Sequence, residues 1–462
     1  MLGDPLMTAR GCISVITLLS LSACGATGEF DLAAVNPFKA EGEAEQSPDA
    51  DTSTEYKLMD LIASSSAAVN VDIGFEAAMR AAIETDPAVL AAKSEAEARR
   101  AAIKSTAAGK DFNYSATVLG GVEDVTDEIA GVAAILKASR VVFDGGQIDA
   151  KIAAETFAAQ AAEARVAQIE NERGARLAYA WIELERYRAL QGLIDSRLGV
   201  LDPLLSQLEK VALSGMGDAG QVAAAQRTVS MIRVTQTDVA EKLAQATVAF
   251  KNNFGSTPKK TAYDHARISR AVPKSSPAKL AETAPGLLAE FYGYRAAEAN
   301  VAAVKSLDNY SVAFEAKAQK PFGQSDYSSD ESIGLVLTKK FYTGEQLTSR
   351  IESAEAAANA QADKVRSTYR DGERAVLSAR QMIVSMDKAI ELARSNAQIT
   401  RDEIEYLRKQ LVIGGSTLDS VLSAEARLYD AEAKEISFIA ERRKAEVTIL
   451  ATSGHLRKIF GS

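Results

Sequence analysis

The sequence predicts a mainly α-helical fold with a membrane β portion: long antiparallel helical hairpins plus four β-strands per chain. Three observations predict it. Only 29 Gly and 10 Pro occur in 462 residues, below the usual combined share of about 12%, so neither a loop-rich sandwich nor a long disordered tail dominates. The chain repeats itself at a spacing near two hundred residues. Within each copy the hydrophobic period changes in the same order: helical, then two, then helical again.

The duplication is clearest where Gly145-Gly146-Gln147-Ile148-Asp149-Ala150-Lys151-Ile152 answers Gly344-Glu345-Gln346-Leu347-Thr348-Ser349-Arg350-Ile351, a shift of 199. Lys210 and Gly215 fall on Lys409 and Gly414 at the same shift, and Phe254-Gly255 falls on Ser453-Gly454. Upstream, 101–105 matches 302–306 at 201. A unit this long is a duplicated half-molecule and not a short solenoid repeat.

Taken in chain order, Met1 to Ala23 reads as a secretory signal, with Arg10 before an apolar stretch from Cys12 to Leu21 that is too short for a permanent span. Leu21-Ser22-Ala23-Cys24 resembles the bacterial lipobox, which would make Cys24 the acylated first residue of a mature lipoprotein. Residues 24–72 are acidic, Ser/Ala-rich and aperiodic, and are expected to be a tether. The first repeat is placed at 73–255. Asp72 is the expected N-cap of an Ala-rich helix from Phe75 to Ala108, broken at Pro87.

Next the period becomes two. Phe112, Tyr114, Ala116 and Val118 alternate with polar residues, and after an acidic turn at Glu123 to Glu128 come Val132, Ala134, Leu136 and Ala138. These predict strands at about 111–123 and 130–143. In the second repeat, placed at 280–462, Tyr310, Val312, Phe314, Ala316 and Ala318 alternate with Ser311, Glu315, Lys317 and Gln319, and Ile333, Leu335 and Leu337 follow. Those strands are expected at about 309–320 and 331–342. Ten residues is the length that crosses a bilayer when tilted. With apolar residues toward lipid, Glu315 and Lys317 face a wet lumen, and the sheet must close to satisfy its backbone. Four strands cannot close. The smallest single-chain barrels have about eight, so several chains are required, and a homotrimer gives a 12-stranded barrel in the outer membrane.

From residue 145 an Ala-rich helix carries a heptad run at Leu184, Tyr187, Gln191, Ile194, Leu198, Leu201, Leu205 and Leu208, the pattern of a coiled-coil seam. Pro203 is expected to kink it. Turns at Ser214-Gly215-Met216-Gly217 and Ile413-Gly414-Gly415-Ser416 reverse the chain, which returns through 218–254 and 417–452. A linker or equatorial segment, 256–279, joins the repeats.

Composition limits the chemistry. Two His, two Cys, 6% aromatics and a net charge of −9 argue against a metal centre, a thiol site or a nucleic-acid surface, and no cofactor is expected. His265 and His455 have no spaced nucleophile beside them, and the Gly145-Gly146 pair alone makes no phosphate loop, so no enzyme is expected. A coiled-coil lipoprotein acting as a tether or scaffold is the alternative, which leaves the alternating strands without a reason.

The chain after about residue 72 resembles the TolC-like outer-membrane factors, or outer membrane efflux proteins. The resemblance rests on Phe75-Glu76-Ala77-Ala78 with Asp86-Pro87, Val142-Phe143-Asp144-Gly145-Gly146 after the strand pair, and Gly414 through Asp419-Ser420-Val421-Leu422-Ser423-Ala424. It implies a homotrimer whose helical hairpins form a periplasmic α-barrel, an exit duct for an inner-membrane transporter, reached through a periplasmic adaptor in a tripartite efflux or type I secretion system. Adaptor docking would lie at the tips, Ser214, Gly215, Met216, Gly217 and Asp218 with Ile413, Gly414, Gly415 and Ser416. Many members carry an acidic entrance ring just past the second tip. Here Ser420 and Ser423 occupy those positions, with Asp419 and Glu425 nearby.

Overall fold

The computed structural model describes residues 68–122, 130–214, 219–261, 263, 265–323, 325, 327–342 and 345–460. The signal segment, Cys24, the tether up to residue 67, the acidic turn and four of the tip residues (Gly215, Met216, Gly217, Asp218) lie outside them.

Helices α1 (Phe75–Glu84) and α2 (Pro87–Ala107) lead into β1 (Asn113–Val122) and β2 (Ala130–Phe143). The long α3 (Gln147–Leu213) and its return α4 (Ala219–Phe254) follow, then short α5 (His265–Ala271) and α6 (Pro277–Glu282). The second copy is α7 (Pro285–Lys305), β3 (Ser311–Phe322), β4 (Asp330–Thr338), α8 (Gln346–Val412) and α9 (Leu418–Thr452), closed by α10 (Leu456–Phe460). The duplication is legible in element lengths: α2 and α7 are each 21 residues, α3 and α8 each 67, and α4 and α9 are 36 and 35. At 1.5 Å per residue, α3 and α8 each run about 100 Å.

Helix ends follow local chemistry. Asp86 accepts from the Ala88 and Val89 amides, and Pro87 sits at the first helical position, where its missing N–H costs nothing. Asp72 is not the N-cap expected of it. Gly74 holds that position without a side-chain cap, while Asp72 accepts from the Lys259 amide at 3.0 Å and so ties the chain start to the joining segment. Helix α3 runs unbroken through Pro203. The carbonyl deprived of its partner belongs to Gly199, whose side has open space around it.

One antiparallel sheet, in the order β1-β2-β3-β4, unites the two hairpins, with β2 paired to β3 across the repeats. Below it, α2, α3, α7 and α8 lie side by side in succession, and further along α4, α3, α9 and α8 do the same. Where these ranks meet, an aromatic cluster forms the main core. Phe75 stacks on Tyr263 at 4.1 Å between ring centres and meets the edge of Trp181 at 5.0 Å, while Phe250 and Phe254 stack one helical turn apart. Trp181 is 1% exposed and donates its indole N–H to the Thr261 carbonyl at 2.7 Å. The 256–279 segment is therefore packed, with Ile268 buried in the main core, and Leu280 just beyond it is buried in a smaller neighbouring cluster.

Trp181→Ala removes the largest side chain of that joint and orphans the Thr261 carbonyl. It is expected to cost about 3–5 kcal/mol, measured by denaturant unfolding. A loss under about 1 kcal/mol would show that the joint is not where the ranks are held.

Candidate functional site

Two surfaces carry unusual chemistry, the sheet and the far end of the helical hairpins. Register decides the sheet. Tyr114 lies opposite Ala138, Ala116 opposite Leu136 and Val118 opposite Ala134; Leu136 in turn faces Ala318, Ala138 faces Ala316, and Ala316 faces Ile333. Directly opposed side chains share a face, so one side of the sheet is apolar over most of its area, with Lys320 (opposite Ala134) and Glu331 (opposite Ala318) at the end away from the helices. It is open to solvent in the single chain: Tyr114, Val118, Leu136, Ile333, Leu335 and Leu337 are all more than 60% exposed. Contiguous exposed apolar area of this kind marks an interaction surface.

The opposite side is charged. Lys137 and Lys317 face each other directly, a destabilising pair, and each is compensated diagonally: Lys137 by Glu315 at 2.9 Å, Lys317 by Asp330 at 4.0 Å. Glu315 and Lys317 thus share one face, as their alternation predicts.

At the other end, Gly414 takes φ 74° and lets the Gly415 amide turn back to the Gln410 carbonyl at 2.9 Å, ending α8. Ile413 is 76% exposed on this turn, and Ser214 stands at the end of α3. Thr417 caps α9, accepting from the Ser420 amide, with its hydroxyl 2.8 Å from that of Ser420; Asp419 sits in the first turn, where the helix dipole favours a carboxylate. Ser423 lies half-buried one turn on. Glu425 is different. It is 2% exposed and clasped by Arg197 of α3 at 3.0 Å and Arg408 of α8 at 2.8 Å, so it presents no free carboxylate.

That clasp belongs to a ladder which sequence reading missed. On α8, Asp387, Arg394, Arg401 and Arg408 recur every seven residues and pair across to α9: Asp387 with Arg442 at 2.5 Å, Arg394 with Glu435 at 2.6 Å, Arg401 with Glu432 at 2.7 Å and Arg408 with Glu425. Arg197 bridges both Glu425 and Glu432, fastening α9 to α3 as well. Across the α8–α9 hairpin the partners are 17 to 55 residues apart, and the heptad spacing of the α8 charges is the signal that could have found them; Arg197 reaches Glu425 and Glu432 from 228 and 235 residues away, with no local signal.

A second stripe, of near-heptad spacing, runs along α8 into the turn after it and is left uncovered by the described residues. Leu377, Val384, Leu392, Ile399, Tyr406 and Ile413 are each at least half exposed. On the opposite flank, α4 leaves Met231, Val234 and Val248 exposed. Among the described residues no group of three or more His, Cys, Asp or Glu is placed to hold a metal, and no described helix is long and apolar enough to cross a membrane.

Buried Glu425→Ala leaves Arg408 without its carboxylate and Arg197 with Glu432 alone, and is expected to cost about 2–3 kcal/mol in denaturant unfolding. Arg394→Ala, on a more exposed rung, is expected to cost under about 1 kcal/mol. Equal losses would show that burial does not set the strength of the ladder.

Residues 277–455 match the family described as outer membrane efflux protein. No curated protein matches the chain by sequence. Among solved structures it is similar to CusC, at 16% identity with a TM-score of 0.71, covering 84% of this chain and 93% of that one. It is also similar to the outer membrane protein VceC of Vibrio cholerae (18% identity, TM-score 0.69, 82% and 95% covered) and to the open state of the MtrE channel of Neisseria gonorrhoeae (14%, 0.70, 84% and 90%). The likeness spans both repeats and establishes a shared fold.

Proposed function

We propose that this chain, which matches the outer membrane efflux protein family over residues 277–455 and whose described residues have the fold of the TolC-like outer-membrane channels, is the passive exit duct of a tripartite efflux or type I secretion system. The observation that carries this reading is the four-stranded sheet. One face is apolar and exposed, the other is charged, and β1 and β4 each pair on one side only. In lipid such a sheet must close through other copies. Three chains give twelve strands.

Helix flanks support the same closure. Helix α8 continues the β4 side of the chain and carries the unpartnered apolar stripe; α2 and α4 lie on the β1 side, where Met231, Val234 and Val248 are exposed. Head-to-tail packing of one flank on the other generates a ring, and the α8 stripe then forms a coiled-coil seam with the next copy's α4. Glu315 and Lys317 line the wet lumen of the barrel. The tips, Ser214 to Asp218 and Ile413 to Ser416, dock a periplasmic adaptor that joins the duct to an inner-membrane transporter. Asp419, Ser420 and Ser423 border the entrance, whereas Glu425 is a structural member of the clasp. Cys24 anchors the chain to outer-membrane lipid, with the helices extending into the periplasm.

Reconstituted into planar bilayers, the purified protein is expected to give discrete conductance steps; a protein that binds liposomes without conducting would favour the scaffold reading. Ile399→Asp combined with Tyr406→Asp places charges in the seam and is expected to yield folded, helical monomers by circular dichroism and light scattering. An unchanged assembly would remove the seam. Shortening both tips is expected to leave the bilayer conductance intact and to abolish export, so persistent export would sink the docking assignment.

A further inference from the structure

The apolar face of the sheet ends, on the side where the helices begin, in an arginine. Arg140 lies directly opposite Phe314, which lies opposite Leu335, so its side chain leaves from the same face as the exposed apolar band. A bulge follows at once between Val141 and Phe143. Its guanidinium stands 5.5 Å over the Phe112 ring and its Nε donates to the Lys110 carbonyl at 3.2 Å. Phe112 in turn stacks on Tyr114, whose ring is 78% exposed. Among the described residues no carboxylate pairs with Arg140, and nearby Lys110 already has Asp149.

The second repeat sharpens the contrast. At the shift of 199, Arg140 corresponds to Lys339, Phe143 to Tyr342 and Lys151 to Arg350. Lys339 also sits over an aromatic ring, Tyr310, at 5.0 Å, but it is neutralised by Asp308 at 3.1 Å. Duplication has therefore kept a cation on an aromatic ring at both hairpin bases and has left only the first without a counter-charge. A guanidinium on a lipid-facing surface is tolerated near the interface, where it reaches the headgroups, and its planar fork matches a phosphate oxygen pair.

We propose that Arg140, with Phe112 and Tyr114, is a binding site for the phosphate of an anionic phospholipid in the periplasmic leaflet, whose acyl chains lie along Ala138, Leu136 and Val118. This rests on the reading that the sheet spans the outer membrane. The phosphodiester accepts from the guanidinium Nη groups and the Tyr114 hydroxyl, and Phe112 holds the guanidinium flat. A glycerol headgroup suits the site better than an ethanolamine one, whose ammonium competes for the same phosphate.

The test is native mass spectrometry of the whole, delipidated protein in detergent, titrated with phosphatidylglycerol, phosphatidylethanolamine or inorganic phosphate. Arg140→Gln is expected to weaken phosphatidylglycerol binding about five-fold, the effect of one cation at a charged interface. Lys339→Gln is expected to weaken it less, and Lys317→Gln, on the other face, not at all. Equal binding by wild type and Arg140→Gln overturns the site, as does inorganic phosphate that displaces phosphatidylglycerol at equal concentration. If the wild type inserts into liposomes and conducts while Arg140→Gln changes nothing, only this site falls. If the wild type does not insert, the membrane reading falls and the site with it.

Discussion

A sheet that leaves two rows of backbone N–H and C=O groups unpaired cannot sit in lipid, and on the proposed membrane reading the rest of this molecule follows from that constraint. Its four strands are too few to close alone. The chain meets the requirement by being two-sided throughout: strand edges at both ends of the sheet, and helical flanks beneath them with exposed apolar residues on each. In the proposed assembly, what looks unfinished in one copy is a surface for the next.

The helices divide their interactions by type. Inside a copy, α9 is fixed between α3 and α8 by carboxylates that Arg197, Arg401 and Arg408 share, and the ranks are joined by the aromatic cluster around Trp181. On its exposed side, which the proposed seam would cover, α8 presents hydrocarbon. Directional ion pairs within and non-directional burial between is a sensible allocation, because partly buried pairs hold a defined geometry while an apolar heptad seam tolerates small relative shifts. The same helix carries both stripes, five residues out of phase and so about 140° apart around its axis, on nearly opposite faces.

Much of this was legible in the sequence because it is periodic. The shift of 199, the alternation in β1 to β4, and the heptad run from Leu184 to Leu208 each repeat often enough to outweigh local noise, and Ile194, Leu198, Leu201 and Leu208 are all buried as that run requires. What escaped was long-range or exceptional. Asp72 resembles a cap by composition, yet it serves the Lys259 amide from 187 residues away. Glu425 looked like an entrance carboxylate because it follows the tip; Arg197, 228 residues distant, takes it out of solvent. The α8 stripe hid among Ala, Ser and charged residues, with one eight-residue step between Val384 and Leu392 that breaks a strict heptad. Arg140 hid within a good strand.

The central claim is closure by copies of the chain, and the mass of the assembly tests it most directly. Extracted in mild detergent and corrected for bound detergent and lipid, the folded protein should weigh three chains. A folded particle of one or two chains, with its strands intact, would leave the sheet open in lipid and contradict the account.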